Sequence, residues 1–310
     1  MRIVTQKTFG GPEVLEVAEA PVPAPLPTEV LVRVRAAGVN PVDWKTRAGR
    51  GMAAVLGDPP FTLGWDVAGV VEEVGYGVTT LRAGDPVFGM PWFPRQAGAY
   101  AEYVTAPSRQ FCAKPAELSF EQAGGLPLAG LTAWQILVDT ANVQPGHRVL
   151  ITAAAGGVGH LATQVAKSRG ATVLGTARAA KHAALRSFGV DEPIDYTTDD
   201  VAAAAGRVDV VVDLVGGSAD LVPCLGPGGL FVNVPSGAPA DLATAVRDRG
   251  ARYSAFLVEP DHEGLYALTQ LVEDGELRVA VAAAFPLAEA AAAHTQGEQG
   301  RTTGKLVLTV

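Results

Sequence analysis

The chain has 310 residues, a length that suits two domains of roughly 150 residues each. Hydrophobic residues make up 48% of the sequence and charged residues 18%, a composition that is typical of folded proteins and excludes a disordered chain. The formal net charge of -8 disfavours nucleic-acid binding, and the lack of a signal peptide or of 18 consecutive apolar residues leads us to expect a cytoplasmic protein without a membrane partner.

The predicted elements change character along the chain. Up to about residue 115, short β-rich runs are separated by Gly and Pro turns, which predicts an antiparallel, partly barrel-shaped unit. From there, apolar strands alternate with amphipathic helices, and this predicts a doubly wound parallel sheet. The last fifty residues look like the first unit resuming. We therefore predict an α/β protein in which residues 1–117 and 258–310 form one domain and residues 118–257 form an inserted dinucleotide-binding domain.

A glycine-rich turn follows the first predicted strand of the inserted domain. Small residues at Ala153, Gly156 and Gly159 have the G-x-x-G-x-x-G spacing of a dinucleotide fingerprint, with Ala in its first place. Apolar residues recur on one face of the next segment and predict a helix from 157 to 169. Small residues let backbone N–H groups approach a pyrophosphate, and the helix N-terminus favours its negative charge. The turn is therefore predicted to bind a dinucleotide rather than to be a plain glycine turn.

The end of the next predicted strand indicates which dinucleotide binds. An NAD site usually has an acidic residue there, which holds the ribose hydroxyls. This chain has Thr176, Ala177 and Arg178 at that place, followed by Lys181. Arg and Lys bind a 2'-phosphate that an acid would repel, so the sequence favours NADPH. For Arg178 and Lys181 the other interpretation is a solvated cation at the start of a helix.

Several stretches in the same order point to a family. They are GVNPVDWK, GWDVAGVVEEVGYGV, AGDPVFG, GAYAEYV, LPLAGLTAWQ, PGHRVLITAAAGGVGH and GRTTGKLVLTV. Together they resemble the quinone oxidoreductase and zeta-crystallin branch of the medium-chain dehydrogenase/reductase superfamily, and the resemblance covers essentially the whole chain. It implies a GroES-like catalytic domain, a Rossmann domain, NADPH as cofactor, no zinc, and a homodimer.

The resemblance also implies a set of cofactor contacts. Asn40 is expected beside the nicotinamide, and Thr132 near the diphosphate or the nicotinamide. The residues expected at the pyrophosphate are Ala155, Gly156, Gly157 and Val158. The residues expected around the adenosine 2'-phosphate are Arg178, Lys181, Tyr196 and Arg301, and Thr176 at the strand end is a further expected cofactor contact. Tyr196 has a second interpretation as a buried strand-end tyrosine, and Arg301 has one as a surface turn residue.

Three positions depart from the zinc alcohol dehydrogenases of the same superfamily. Where those proteins carry a Cys and a His-Glu pair for the catalytic metal, this chain has Asn40, Trp65 and Asp66. Lone carboxylates make a poor zinc site. We therefore expect Asp43 to brace its loop and Asp66 to accept a hydrogen bond from the backbone. Oxidation of a plain alcohol, in which zinc stabilises the alkoxide, is disfavoured by this residue set.

A conjugated acceptor fits these residues better. Hydride addition to a quinone or an enone produces an anion that is already delocalised onto oxygen, and a few hydrogen-bond donors can stabilise it. We predict NADPH-dependent reduction of a quinone or an α,β-unsaturated carbonyl, with Asn40 and Lys45 as catalytic residues. Lys45 would donate a proton or stabilise the oxyanion; otherwise it is an exposed loop lysine. The alternative functions are an enoyl-thioester reductase and a non-catalytic, crystallin-like NADPH-binding protein.

Overall fold

The computed structural model describes residues 1–234 and 239–310, which divide into two units. Unit 1 comprises Met1–Leu131, Glu259–Gly275 and Val279–Val310, and unit 2 comprises Thr132–Val258 and Glu276–Arg278. No helix within the described residues has both the length and the apolar composition needed to cross a membrane.

The first segment of unit 1 is rich in strands. Its strands are β1 (Arg2–Gln6), β2 (Glu16–Glu19), β3 (Glu29–Val39), β4 (Phe61–Thr62), β5 (Val67–Val74), β6 (Pro86–Gly89), β7 (Tyr103–Pro107) and β8 (Phe111–Ala113). Its helices are α1 (Pro41–Arg47), α2 (Ala53–Leu56), α3 (Phe120–Gly125) and the first part of α4 (Pro127–Trp134), which continues into unit 2 at Thr132. Short 3-10 turns lie at Pro12–Val14 and Ser108–Gln110. Along β3, Arg33 and Arg35 are exposed whereas Val32 and Val34 are buried, as expected when one face of a strand covers a core.

Unit 2 contains a six-stranded sheet in which all strands are parallel. The strands are β9 (Arg148–Ile151), β10 (Thr172–Thr176), β11 (Glu192–Ile194), β12 (Val208–Asp213), β13 (Leu225–Asn233) and β14 (Arg252–Ala255). The helices are α5 (Gly159–Ser168), α6 (His182–Phe188), α7 (Val201–Ala205) and α8 (Leu242–Asp248), with a π-helical turn at Gln135–Thr140 and 3-10 turns at Ala179–Lys181 and Ala219–Cys224. The strand order β11-β10-β9-β12-β13-β14 is that of a Rossmann fold. The predicted doubly wound sheet is confirmed.

The chain then returns to unit 1. The remaining elements are α9 (His262–Glu273), β15 (Val281–Pro286), a 3-10 turn at Leu287–Glu289, α10 (Ala290–Glu298) and β16 (Lys305–Thr309). They complete a seven-stranded sheet of order β15-β16-β3-β5-β6-β8, with β7 also paired to β3, beside a three-stranded sheet of order β2-β1-β4. The last strand of the chain thus pairs with a strand from its beginning.

The division differs from the sequence-based domain boundaries in three segments: residues 118–131 and, in the other direction, Val258 and Glu276–Arg278, which lie in unit 2. Residues 118–131, assigned above to the dinucleotide domain, lie in unit 1. The physical reason is that α3 packs against β3, β5 and β16 of that unit. Each unit has a hydrophobic core of its own: the first includes Val32, Val71, Phe111 and Leu308, and the second includes Leu150, Leu174, Val211 and Phe231.

Candidate functional site

Three strand ends of unit 1 bring together the residues at the positions that depart from zinc alcohol dehydrogenases. Asn40 follows β3, Asp66 precedes β5, and Lys305 begins β16. The strands β16 and β3 are antiparallel with Leu306 opposite Val39, so the next position along places Lys305 beside Asn40. We call Asn40, Asp66 and Lys305 the Asn40 cluster.

The side chains of the Asn40 cluster are hydrogen-bonded to one another. Asn40 Nδ2 donates to Asp66 Oδ2 over 2.8 Å, and Lys305 Nζ donates to Asn40 Oδ1. Lys305 Nζ also lies 3.6 Å from Asp66 Oδ2, and the second oxygen of Asp66 accepts the backbone N–H of Leu128 at 2.6 Å. The prediction that Asp66 binds a backbone donor is therefore confirmed. All three members are buried, with exposures of 1% for Asn40, 0% for Asp66 and 3% for Lys305.

Burial and mutual charge act in opposite directions on the two ionisable members. Burial raises the pKa of Asp66, while Lys305 and the hydrogen bond from Asn40 lower it. Burial lowers the pKa of Lys305, while Asp66 raises it. Each group therefore favours the charged form of the other, as expected for a buried pair with short contacts.

Gly38 makes room for the Asn40 cluster. A Cβ atom at this position would lie 2.4 Å from Asp66 Oδ2 and 2.5 Å from the carbonyl oxygen of Gly124. No other residue type fits there without movement of the backbone or of the carboxylate. Glycine at position 38 is thus a steric requirement of this site.

A second hydrogen-bonded group holds the helix that follows Asn40. The backbone N–H of Asn40 donates to Asp43 Oδ2 over 2.6 Å, a contact that caps α1 and confirms the predicted brace. The same oxygen accepts from Tyr100 Oη at 3.1 Å, and Tyr100 Oη lies 3.0 Å from His294 Nε2. Arg47, which contacts His294, completes the group. We call Asp43, Tyr100, His294 and Arg47 the Tyr100 chain.

The direction of the Tyr100 chain follows from its first donor. Arg47 lies with Nη1 3.1 Å from His294 Nδ1 and donates through Nη2 to Glu298 Oε1 over 2.7 Å. Because arginine can only donate, Nδ1 of His294 must accept, and the ring proton is assigned to Nε2. His294 then donates to Tyr100, whose hydroxyl donates to Asp43. The hydrogen bonds from Arg47 Nη1 through His294 and Tyr100 therefore all run in one direction and end at the Asp43 carboxylate.

Burial shifts the ionisation of the Tyr100 chain strongly. It raises the pKa of Asp43 to about 7, against the hydrogen bond from the Asn40 backbone. It lowers the pKa of His294 to about 3, and Arg47 adds to the effect, which agrees with the neutral ring assigned above. The second oxygen of Asp43, Oδ1, is buried and has no hydrogen-bond partner among the described residues. A proton on Asp43 would reside on that oxygen.

Lys45, the predicted proton donor, lies on α1 outside both groups. Its side chain is half-buried, and burial followed by the charge of Arg50 lowers its pKa. A lowered pKa eases proton donation, so Lys45 keeps its predicted role as a proposal.

The Trp65 side chain lies in the hydrophobic core. Its exposure is 1%, its ring packs edge-on against Phe93, and its Nε1 donates to the carbonyl of Arg95.

The glycine-rich turn of unit 2 is fixed to the neighbouring strand. Ala153 has a φ of 47°, and its N–H donates to Thr176 Oγ1 over 3.2 Å, while Ala154 N donates to Thr176 O over 3.1 Å. The buried Thr176 side chain thus braces the turn. Among the described residues, the backbone N–H groups of Gly157 and Val158 have no hydrogen-bond partner, and both residues are partly exposed. The turn therefore presents donors suited to a phosphate.

Gly159 lets α5 approach β9 closely. A Cβ atom there would lie 2.3 Å from the carbonyl oxygen of Ala153 and 2.6 Å from the Cα atom of Ala154. At Gly156, by contrast, a Cβ atom would approach the Ala153 oxygen only to 3.1 Å. The two glycines therefore have different functions: Gly159 is needed for packing, whereas Gly156 keeps the turn surface clear.

Two of the cationic side chains predicted for the 2'-phosphate, Arg178 and Lys181, lie with Tyr196 beyond β10. Arg178 Nε donates to Tyr196 Oη over 3.1 Å, and the Tyr196 side chain is 50% exposed, so the buried alternative for Tyr196 is wrong. Lys181 is half-buried, and burial lowers its pKa. The charge of Arg178 lowers the pKa of Lys181 further, whereas Tyr196 raises it. The carboxylate of Asp195 accepts the backbone N–H groups of Ala179 and Thr197 and is thereby turned to the backbone. We call Arg178, Lys181 and Tyr196 the Arg178 cluster.

The two remaining predicted contacts lie elsewhere. Thr132 is buried within α4, at the start of unit 2. Arg301 is exposed in the turn between α10 and β16 of unit 1. Both stay predictions.

Sequence reasoning missed the buried partners of Asn40 and Asp43, above all Lys305, Tyr100 and His294. Their contacts join residues 265, 57 and 194 positions apart, so no local pattern reports them. The one available signal was Lys305 at the start of the final strand, since a lysine that faces the core of a sheet is rare. No group of three or more His, Cys, Asp or Glu side chains within residues 1–234 and 239–310 is arranged to hold a metal ion.

Comparison with known proteins agrees with this architecture. A family model described as the alcohol dehydrogenase GroES-like domain matches residues 26–116, and one described as zinc-binding dehydrogenase matches residues 188–308. The chain is 36% identical to a 2-haloacrylate reductase from Burkholderia sp. over 96% of each chain. Two solved structures match all of this chain. A quinone oxidoreductase from Coxiella burnetii is covered to 99% at 39% identity and a TM-score of 0.93, and the Escherichia coli quinone oxidoreductase complexed with NADPH is covered to 100% at 30% identity and a TM-score of 0.90.

These similarities extend across both units and confirm the family and the fold class expected from the sequence. The chain is therefore an oxidoreductase that belongs to the zinc-free quinone oxidoreductase branch of the medium-chain dehydrogenase/reductase superfamily.

Proposed function

We propose that this protein uses NADPH to reduce a quinone or an α,β-unsaturated carbonyl by hydride transfer. The observation that carries the proposal is the presence, in one Rossmann unit, of a turn with open N–H donors and of the Arg178 cluster beyond the next strand. The similarity to a 2-haloacrylate reductase and to quinone oxidoreductases supports the two acceptor classes.

The residues of unit 2 fit NADPH. When bound, NADPH supplies the hydride. The N–H groups of Gly157 and Val158 suit the pyrophosphate, and Gly156 leaves space for its approach. The guanidinium of Arg178 and the ammonium of Lys181 suit a 2'-phosphate, because they add charge to the hydrogen bonds. Ala155, Thr132, Thr176 and Arg301 complete the proposed contacts.

Asn40 is the proposed donor to the substrate oxygen. Its carboxamide has two N–H bonds, of which one is given to Asp66. We propose that the other donates to an oxygen that gains negative charge as hydride adds to the conjugated system. Lys45 is the proposed source of the proton that completes the reduction.

The cofactor claim is tested by titrating NADPH and NADH against the parent protein, Arg178→Ala and Lys181→Ala. Loss of a charge-assisted contact to the 2'-phosphate is expected to weaken NADPH binding by about 1.5–3 kcal/mol, that is, roughly 10- to 150-fold, and to leave NADH binding unchanged. Arg186→Ala, at an exposed position on α6, is the matched control and should change neither. Equal affinities of the parent protein for the two dinucleotides would overturn the claim.

The substrate claim is tested by following NADPH absorbance with quinones, enones and enoyl thioesters. Turnover of the first two classes is expected. Selective turnover of enoyl thioesters would replace the proposal with the thioester reductase alternative. Saturable NADPH binding without turnover of any compound would favour the crystallin-like alternative.

We also propose a homodimer. β14 is the last strand of the six-stranded sheet as formed by the described residues, so one edge of that strand is open to pairing with a second copy. Sedimentation equilibrium should give twice the chain mass of 31.9 kDa, and a monomer mass would contradict the dimer.

A further inference from the structure

We propose that Lys305 is a positioning residue that acts through Asn40: its ammonium group fixes the Asn40 carboxamide and strengthens the remaining Nδ2–H as a donor to the substrate oxygen. The identity of the substrate oxygen rests on the proposed function. The effect on the carboxamide does not, and it can be measured without substrate.

The contacts leave the carboxamide one orientation. Lys305 Nζ donates to Oδ1, and Nδ2 donates to Asp66 Oδ2 at 2.8 Å. A flipped amide would place its NH₂ group against an ammonium and its oxygen against a carboxylate, which removes both hydrogen bonds. The second Nδ2–H therefore has a fixed direction. Asp66 is held in turn by the N–H of Leu128 at 2.6 Å, so the three groups form a rigid unit.

The same contacts polarise the amide. A cation at the carbonyl oxygen draws electrons from nitrogen through the amide π system, which leaves the N–H bonds more positive at hydrogen. The effect is large here because the Asn40 cluster is shielded from water: Lys305 is 3% exposed and Asp66 is fully buried. Polarisation matters most when the acceptor oxygen becomes negative, so it should stabilise the transition state more than the bound substrate.

The chemistry of the pair argues for a role beyond stability. Burying an ammonium and a carboxylate together is costly, and well-packed apolar residues often stabilise a core as well or better. In this cluster the ammonium contacts the amide oxygen more closely than it contacts the carboxylate, where the separation is 3.6 Å. The amide of Asn40 is therefore the principal partner of Lys305.

The first experiment measures the Asn40 carboxamide by NMR in the full-length protein without cofactor. Its NH₂ resonances are identified by their loss in Asn40→Asp. Lys305→Gln keeps a neutral donor near Oδ1 and removes the charge, so the resonances should shift upfield, whereas Lys305→Arg should keep them close to their parent positions. Lys114→Gln is the matched control, because Lys114 is a partly buried lysine of the same unit that binds the carbonyls of Pro115 and Leu118. Unchanged resonances in Lys305→Gln would overturn the proposal.

The second experiment compares kinetics with the best substrate of the panel. Lys305→Gln should lower kcat by about ten- to a hundredfold with little change in the affinity for NADPH, a smaller loss than removal of an oxyanion donor outright. The kcat of the parent protein should fall at high pH as Lys305 loses its proton, at a pH below the usual range because burial lowers the pKa of Lys305. Lys45, the proposed proton donor, also has a lowered pKa and would cause a fall of its own, so the comparison is made in a Lys45→Gln background. In that background Lys305→Arg stays charged and should lack the fall.

The two proposals can fail separately. A parent protein that reduces none of the acceptors defeats the proposed function, and the NMR shift still decides the role of Lys305. A Lys305→Gln protein with parental kcat defeats the role of Lys305 alone. If Lys305→Gln does not fold, the Lys305→Arg comparison in the Lys45→Gln background decides, because an unchanged high-pH fall there contradicts the proposal.

Discussion

Asp43 and His294 are joined through Tyr100, and burial moves their pKa values in opposite directions. The folded protein holds a proton on Asp43 up to about pH 7, whereas the unfolded chain releases it near 3.8, so this contribution to stability is lost as pH rises through that window. For His294 the folded pKa of about 3 lies below the usual histidine pKa of 6.5, so its contribution is lost as pH falls from 6.5 towards 3. Where the windows overlap, the two contributions oppose each other.

The replacement Asp43→Asn should uncover the effect of His294. Without a titrating group at position 43, the free energy of unfolding should fall on acidification from pH 6.5 to 4 by up to about 1.4 kcal/mol per pH unit, whereas the parent protein should show a flatter profile. Denaturant unfolding at several pH values measures both. Asp58→Asn, at an exposed position, is the control and should follow the parent profile. Parallel profiles for parent and Asp43→Asn would show that Asp43 does not titrate as described.

At the scale of elements, the sequence predicted best where the pattern was local. The helix predicted at 157–169 is observed at Gly159–Ser168, because its apolar face repeats within a few residues. The three-stranded sheet of β2, β1 and β4 was not predicted, since its strands pair residues over long separations and carry no long alternation of their own. The structural roles of Asp43 and Asp66 could be predicted because lone carboxylates make a poor zinc site. The side chains that contact them could not, because those contacts depend on the register of the sheet.

The junction of β9, the glycine-rich turn and α5 gives a prediction about two glycines. Gly159→Ala should destabilise the protein by about 1–3 kcal/mol, because the new methyl group would overlap the Ala153 carbonyl at 2.3 Å. Gly156→Ala meets the same oxygen at 3.1 Å and should cost less than about 1 kcal/mol, yet it should weaken NADPH binding by about tenfold, because a methyl group would stand where the pyrophosphate approaches. Thermal unfolding and NADPH titration of both variants separate the effects. Equal loss of stability in both would contradict the assignment of packing to Gly159.

At the scale of the molecule, the sequence showed that the end of the chain resembles its beginning in texture, but not how the two join. The structure places β16 between β15 and β3 in the sheet of unit 1, while the strands of unit 2 pair with one another within the described residues. The boundary at residue 118 differs from the structure because α3 carries no signal of which sheet it covers. Pattern predicts the kind of element, whereas burial against a particular sheet is a tertiary property.

Deletion of residues 304–310 should therefore unfold one unit and spare the other. It removes β16, leaves two open strand edges, takes Leu306 and Leu308 out of the core of unit 1, and removes Lys305 from the Asn40 cluster. Unit 2 keeps its six-stranded sheet and its own core. Hydrogen exchange followed by mass spectrometry should show lost amide protection in β3 and β5 and retained protection in β9 and β12. Deletion of Val310 alone, which follows β16, should leave both units protected. Loss of protection in both units of the longer deletion would show that unit 2 depends on unit 1 for its stability.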